Sequence, residues 1–231
     1  MAAKEIVSGL YSIRLGPANA YLIDSGGDGL TLIDCGYAKS VSQIEDAIRS
    51  IGRQPGDLTD ILITHGHPDH LGSAAHFSAD SAPVSLHAED AWIARAGKIE
   101  QTMSPGPGVV NRILFRLFIG DKAAEFPSFE PQTSLVGGSN LDIGGGIEVI
   151  HTPGHTAGHV SLLWKRDRYI LFAGDVAANL LGLAYSLGYD DLAAGKASLV
   201  KLAQRDFEVA VFGHGRPIMS GASTKFARRF T

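Results

Sequence analysis

The stretch Ile61-Leu62-Ile63-Thr64-His65-Gly66-His67-Pro68-Asp69-His70 constrains this chain more than any other. An apolar, β-branched run leads into three histidines and an aspartate within six residues. The run reads as a buried strand bounded by turn residues. Alternation predicts that His65 and His67 leave the strand end on one side, where both imidazoles reach one ion. Pro68 suits the first turn of a helix, and that turn brings Asp69 and His70 to the same spot from the other side. Imidazole combined with carboxylate selects zinc, iron or manganese over calcium or magnesium. The competing reading is a polar loop of hydrogen-bonded histidines, which the density of the cluster disfavours.

Around this stretch the chain alternates strands and helices. Residues 6–15, 20–24 and 30–33 read as strands, with Gly26-Gly27-Asp28-Gly29 as a hairpin turn. Val41, Ile44, Ala47, Ile48 and Ile51 recur at helical spacing, and Gly52 supplies the stop. Small residues after His70 continue a helix, and 83–86 is a further strand. This order predicts a layered α/β fold rather than a bundle. Residues 88–131 differ: a loose helix over 91–99, a break at 103–108, then an apolar stripe formed by Val109, Val110, Ile113, Leu114, Leu117 and Phe118. That insertion is core packing, a lid over the site, or a homodimer surface. Strands return at 133–136, 141–143, 147–150, 160–164, 169–172 and 209–212, with a helix over 192–204. No linker or low-complexity tract divides residues 1–231, which predicts one domain.

Composition removes several classes of function. Twenty-four acidic and 20 basic residues leave a net charge of −4 with no basic run, so nucleic acid and acidic membranes are not expected partners. The one cysteine, Cys35, forbids an intrachain disulfide and fits a reducing compartment. Met1-Ala2-Ala3-Lys4-Glu5 does not resemble a secretory signal, and no apolar run is long enough to span a bilayer. The expectation is a cytoplasmic protein acting on a small molecule.

Strand ends in both halves carry candidate ligands flanked by glycine or other turn residues: His65, His67, Asp69 and His70, then His155, Asp175 and His214. Seven ligands exceed one tetrahedral ion but suit two ions sharing a carboxylate, with Asp175 as the bridge. Asp34, at the end of the third strand, either orients a metal-bound histidine or caps the next element. His159 is a candidate for supporting the site from behind. His151 reads as structural, and His76 and His87 as ordinary packed or surface histidines.

His65-Gly66-His67-Pro68-Asp69-His70, Thr152-Pro153-Gly154-His155-Thr156-Ala157-Gly158-His159, Gly174-Asp175 and Gly213-His214-Gly215 resemble, in order, the motifs of the metallo-β-lactamase superfamily, with Asp34 matching its first motif. The resemblance covers residues 18–218. It implies a four-layer αβ/βα sandwich with the metal site at one edge of the paired sheets. It also implies one ion on His65, His67 and His155, a second on Asp69, His70 and His214, and Asp175 between them. The implied chemistry is hydrolysis by a bridging hydroxide, with Asp69 orienting it and taking its proton.

Departures from family patterns narrow the branch. Exported β-lactamases carry a signal, and those with this first motif usually lack an aspartate equivalent to Asp175. Glyoxalase II carries a glutathione-binding helical domain, for which residues 216–231 are too few. Lactonases of this size place a tyrosine three residues after the bridging aspartate. Here that residue is Ala178, so Tyr185 or Tyr189 becomes the candidate substrate-binding phenol. The expected activity is a binuclear hydrolase of the glyoxalase II-like or lactonase-like branch, with zinc, iron or manganese, acting on a small ester, thioester or lactone. The alternatives are a mononuclear-iron persulfide dioxygenase of the same fold and a hydrolase opening amide rings.

Overall fold

Gly9, at φ +77°, reverses the chain where one strand was expected over 6–15, and gives two: β1 (Lys4–Val7) and β2 (Leu10–Leu15). The computed structural model describes residues 2–80, 82–100, 103–119 and 123–231. Parts of the 88–131 insertion, at 101–102 and 120–122, lie outside the described residues, as does the side chain of Phe118 from its stripe. β3 (Ala18–Asp24) and β4 (Leu30–Ile33) continue the antiparallel run. Helix α1 (Val41–Ser50) then crosses to β5 (Leu58–Leu62), parallel to β4. Helices α2 (Pro68–Leu71) and α3 (Ala74–Asp80) lead to β6 (Val84–Leu86), again parallel.

The insertion holds α4 (Ala91–Ala96), β7 (Lys98–Glu100), β8 (Ser104–Pro105), α5 (Val109–Phe118) and β9 (Ala123–Glu125). Gly97 ends α4 in the left-handed conformation, so Ile99, expected in a helix, falls in a strand. β10 (Thr133–Ser134) joins β6 and completes a seven-stranded sheet ordered β1-β2-β3-β4-β5-β6-β10. The second sheet is formed by β11 (Asn140–Leu141), β12 (Ile147–His151), β13 (Val160–Trp164) and β14 (Ile170–Phe172). Next come the hairpin of β15 (Ala177–Asn179) with β16 (Leu183–Tyr185), and β17 (Gly188–Tyr189), which pairs back onto β8. Helix α6 (Leu192–Ala203), β18 (Val209–Val211) and α7 (Ala222–Phe230) finish the chain, with β18 parallel to β14 at the edge of the second sheet.

Side-chain alternation sorts these elements into four layers. On β3, Ala20 and Leu22 join α1, α3 and α4 in one core, whereas Tyr21 and Ile23 face the other sheet. On β13, Val160, Leu162 and Trp164 meet that face, and Leu163 points to α6 and α7. Three apolar cores therefore separate helix, sheet, sheet and helix layers, the αβ/βα arrangement. No helix among the described residues is long and apolar enough to cross a membrane.

Candidate metal centre

β5 ends at Leu62, so His65 and His67 occupy the loop that follows rather than the strand end expected from alternation. Asp34 is the reason. Its carboxylate accepts the Thr64 amide at 2.8 Å and the Thr64 hydroxyl at 3.0 and 2.9 Å, drawing the chain out of the ladder. Asp34 itself has φ +57°, a left-handed conformation that Asp and Asn tolerate better than most residues. His67 is the N-cap residue of α2 and Pro68 its first residue, which places Asp69 and His70 one turn away. His155 follows β12, Asp175 follows β14, and His214 follows β18, so the second sheet sends three side chains to the same place. Gly213 makes the approach possible: a Cβ there would stand 2.0 Å from Asp175 Oδ1 and 2.7 Å from His70 Cε1.

The donors converge. His65 Nε2 lies 3.1 Å from His67 Nδ1, and His155 Nε2 lies 3.5 Å from Asp175 Oδ2. His214 Nε2 is 3.1 Å from Asp175 Oδ2 and 3.3 Å from Asp69 Oδ2. His70 Nε2 is 3.7 Å from both Asp69 Oδ2 and Asp175 Oδ1. Four rings are held by their far nitrogens. The Nδ1–H of His70 donates to Asp34 Oδ2, of His155 to the Gly188 carbonyl, of His214 to the Pro17 carbonyl, and of His65 to the Thr64 hydroxyl, all at 2.8–3.0 Å. In the neutral ring, each such bond fixes the tautomer whose Nε2 lone pair faces the cluster.

Electrostatics divide the cluster. Burial, reinforced by the surrounding rings, holds His65 well below the ordinary histidine value and lowers His67 to about 3. Burial also lowers His155 and His159. Burial opposes charge on His70 too, but Asp69, Asp175 and Asp34 outweigh it and push this ring up to about 9. His214 rises well above its usual value, because Asp175 and Asp69 overcome the same burial. Asp69 and Asp175 stay ionised despite burial, held below the carboxylate range by His70 and His214. One half of the cluster is neutral imidazole and the other couples cation to carboxylate.

Whether metal ions fit can be judged from what the donors lack. Buried and without a hydrogen-bond partner, His70 Nε2, His155 Nε2 and Asp175 Oδ1 gather around the Asp175 carboxylate. An unmatched buried polar atom costs about 1–3 kcal/mol, so gathering three in one place needs a compensating ligand. Among the described residues four sets bring their donor atoms within 4.8 Å of one another; three belong to this cluster, namely His65, His67 and His155; His65, His70 and Asp175; and Asp69, His70 and His214, and the fourth, His87, Glu89 and His151, lies apart from it. A tetrahedral ion with bonds of 2.0–2.1 Å separates its ligands by about 3.3 Å, close to the spacings seen here. The residues fit divalent ions.

Two surrounding residues, Asp90 and Tyr37, were not legible as site residues, whereas His159 was a candidate. Asp90, buried in the turn before α4, accepts the Gly66 amide at 2.8 Å, the Thr156 hydroxyl at 2.6 Å and the Gly158 amide at 2.7 Å. It ties the loop bearing His65 and His67 to the loop bearing His155. Tyr37, half-buried beside α2, has its phenol pKa raised by burial and by Asp69 and Asp175, with His214 opposing. His159 Nε2 accepts the Asp175 amide at 2.9 Å, and its Nδ1 meets the Thr152 hydroxyl at 2.8 Å. Gly174, at φ +56°, leaves room for that ring.

The tyrosine candidates divide. Tyr189 is fully buried, and its hydroxyl donates to the Val176 carbonyl at 2.7 Å while accepting the Ser186 amide at 2.9 Å. It has no access to a substrate, so its expected binding role is corrected to a structural one. Tyr185 sits on β16 against Phe230, under the Arg229 guanidinium. His87 and His151 stack at 4.3 Å, and His151 Nε2–H donates to the Ala157 carbonyl. His76 lies near Glu45 at the surface.

Two facing mixed sheets with helices outside, and a histidine–aspartate cluster built from their loops, define a class of metal-binding α/β sandwich. The chain belongs to the metallo-beta-lactamase superfamily, whose model matches residues 13–214. Among relatives, the probable metallo-hydrolase YflN of Bacillus subtilis is 27% identical, the match covering 94% of this chain and 88% of that protein. Thioesterase pkgB and lactamase-like protein aptB of Emericella nidulans are 27% and 26% identical over 90% and 89% of this chain. This chain spans 49% and 53% of their lengths, about half of each. A Cronobacter sakazakii metallo-beta-lactamase superposes with a TM-score of 0.73 at 21% identity, covering 93% of this chain and 81% of that one. A B3 metallo-beta-lactamase with an active-site glutamic acid gives 0.73 at 23%, covering 99% and 88%. These structural likenesses speak for the fold.

Proposed function

We propose that this protein is a binuclear metal-dependent hydrolase of small esters, thioesters or lactones. The observation that carries the reading is the convergence of buried, unpartnered donors at His70, His155 and Asp175 beside the paired rings of His65 and His67. His65, His67 and His155 would hold one ion, and Asp69, His70 and His214 the other. Asp175 would serve both, since its two oxygens face His155 and His214 on one side and His70 on the other. Bound there, divalent ions supply Lewis-acid polarisation of a carbonyl and lower the pKa of water toward neutrality.

The chain's own groups do the rest. Asp69 is ionised and partly open to the cleft, so a carboxylate oxygen can accept the proton of the attacking water and return it to the leaving group. Water's oxygen ends on the acyl carbon, and the bond from that carbon to the ester oxygen or thioester sulfur breaks. Tyr37, a half-buried phenol that feels Asp69, Asp175 and His214, would donate its hydroxyl hydrogen to the substrate, in place of a tyrosine at the position of Ala178. The metallo-hydrolase and thioesterase names of two relatives support hydrolysis of acyl bonds.

A screen of metal-quantified protein against aryl esters, acyl thioesters, lactones and a chromogenic β-lactam tests the reading. Turnover of an acyl ester, thioester or lactone, abolished together with metal binding in Asp175→Asn, is the expected result. Oxygen consumption with a persulfide on a single iron would instead favour the dioxygenase chemistry open to this fold.

A further inference from the structure

Beside the cluster lies a cavity of about 340 Å³ between the first turns of α5 and the β15–β16 hairpin. Val110, Leu114, Leu183, Leu187 and Tyr185 line it. Among the described residues, Arg229 is the one charged side chain in its wall, and its Nε is engaged by the Leu183 carbonyl while its guanidinium lies over Tyr185. Apart from this guanidinium, held against the wall, the described lining is uncharged. Its rim is apolar too: Leu181 is 93% exposed and Val109 65%. Apolar side chains grouped around a concavity favour an apolar occupant.

The same segments hold the cluster in place. Gly188, which accepts His155 Nδ1–H, pairs with Pro105 of the insertion, and the Gly106 amide donates to the Leu187 carbonyl. Ser186 Oγ lies 3.4 Å from His155 Nδ1, between cavity residues Tyr185 and Leu187. At the other end, the Asn179 amide donates to the His214 carbonyl, one residue beyond cavity-lining Ala178. Cavity and cluster share a wall.

We propose that this cavity binds the apolar tail of the substrate, an uncharged acyl chain or ring whose reactive carbonyl lies at the metal cluster. At about 30 Å³ per water-sized group, the volume holds at most about eleven such groups. The insertion is then the specificity wall of the enzyme. The kinetic part of this proposal rests on the hydrolytic reading of the cluster; the binding part does not.

The test uses full-length, metal-loaded protein and two readouts. In the first, kcat/KM is measured for p-nitrophenyl esters from acetate to dodecanoate. Each added methylene should raise kcat/KM about fourfold until the cavity fills, after which the gain stops. Leu114→Trp should stop the gain at a shorter chain and Leu114→Ala at a longer one. A damaged fold would lower all chain lengths alike. In the second, the neutral dye N-phenyl-1-naphthylamine is bound and displaced by primary alcohols of increasing length, which needs no turnover. Length-dependent displacement, weakened in Leu114→Trp, supports the cavity even if no ester is hydrolysed, in which case the hydrolase reading fails alone. A flat chain-length profile in both readouts overturns the proposal. So does a dimer that excludes the dye until Leu181→Asp separates it.

Discussion

The carboxylate of Asp90 accepts a 2.6 Å hydrogen bond from the hydroxyl of Thr156, and through it the two histidine-bearing loops of the cluster are joined. The same Oδ2 takes the Gly66 amide, and Oδ1 takes the Gly158 amide. Asp90→Ala strands both amides in a buried place and frees each loop. Metal affinity, read by competition with a chromogenic chelator, should fall about 10- to 100-fold. Asp90→Asn, which still offers one acceptor oxygen, should lose less. Wild-type affinity in a folded Asp90→Ala protein would show that the loops hold themselves.

Asp34 bonds directly to one ligand, His70. It receives His70 Nδ1–H at 2.9 Å while its other bonds fix Thr64. Asp34→Asn tolerates the left-handed backbone but removes the charge that favours this histidine's ligating tautomer. We expect weaker occupancy of the ion held by His70 and His214, with the ion at His65, His67 and His155 largely retained. Equal loss of both ions would contradict the division of the ligands.

For chelator-treated protein, pH dependence follows from the opposed shifts. His65, His67, His155 and His159 have lowered values, so below about 6.5 the unfolded chain takes up protons that the folded one refuses, and stability falls with pH. His70 and His214 have raised values, so their contribution is complete below about 6.5 and is lost as pH rises toward and through about 9 for His70. The metal-free protein should therefore be most stable near pH 6.5. Urea unfolding at pH 5, 6.5 and 8.5 checks this, and a monotonic trend would refute it.

The phenols should separate by readout. Tyr189→Phe leaves the buried Val176 carbonyl and Ser186 amide without a partner, and should destabilise the fold by about 1–3 kcal/mol with little change in kcat/KM. Tyr37→Phe should leave thermal unfolding unchanged and lower kcat/KM about 3- to 10-fold. The reverse pattern would return the substrate contact to Tyr189.

Much of this was readable from residues whose type is costly to place by chance. The apolar run Ile61-Leu62-Ile63 announces a buried strand, and glycine beside His155, Asp175 and His214 announces sharp turns at strand ends. What escaped reading depends on distant partners. Asp90 looks like any acidic turn residue until Gly66 and Thr156 are folded against it. Helix α7 escaped because only Ala222, Phe226 and Phe230 are buried, one narrow stripe in a polar nine-residue segment. β15, β16 and β17 are two or three residues each, too short for alternation to register. His65 and His67 leave the strand early because Asp34, some 30 residues away, claims the Thr64 amide.

The number of metal ions per chain tests the central claim most directly, measured by elemental mass spectrometry on purified protein together with its protein concentration. Two divalent ions per chain are predicted for the wild type, with marked loss in Asp175→Ala because both ions use that carboxylate. One iron per chain, or two ions retained without Asp175, would contradict the account.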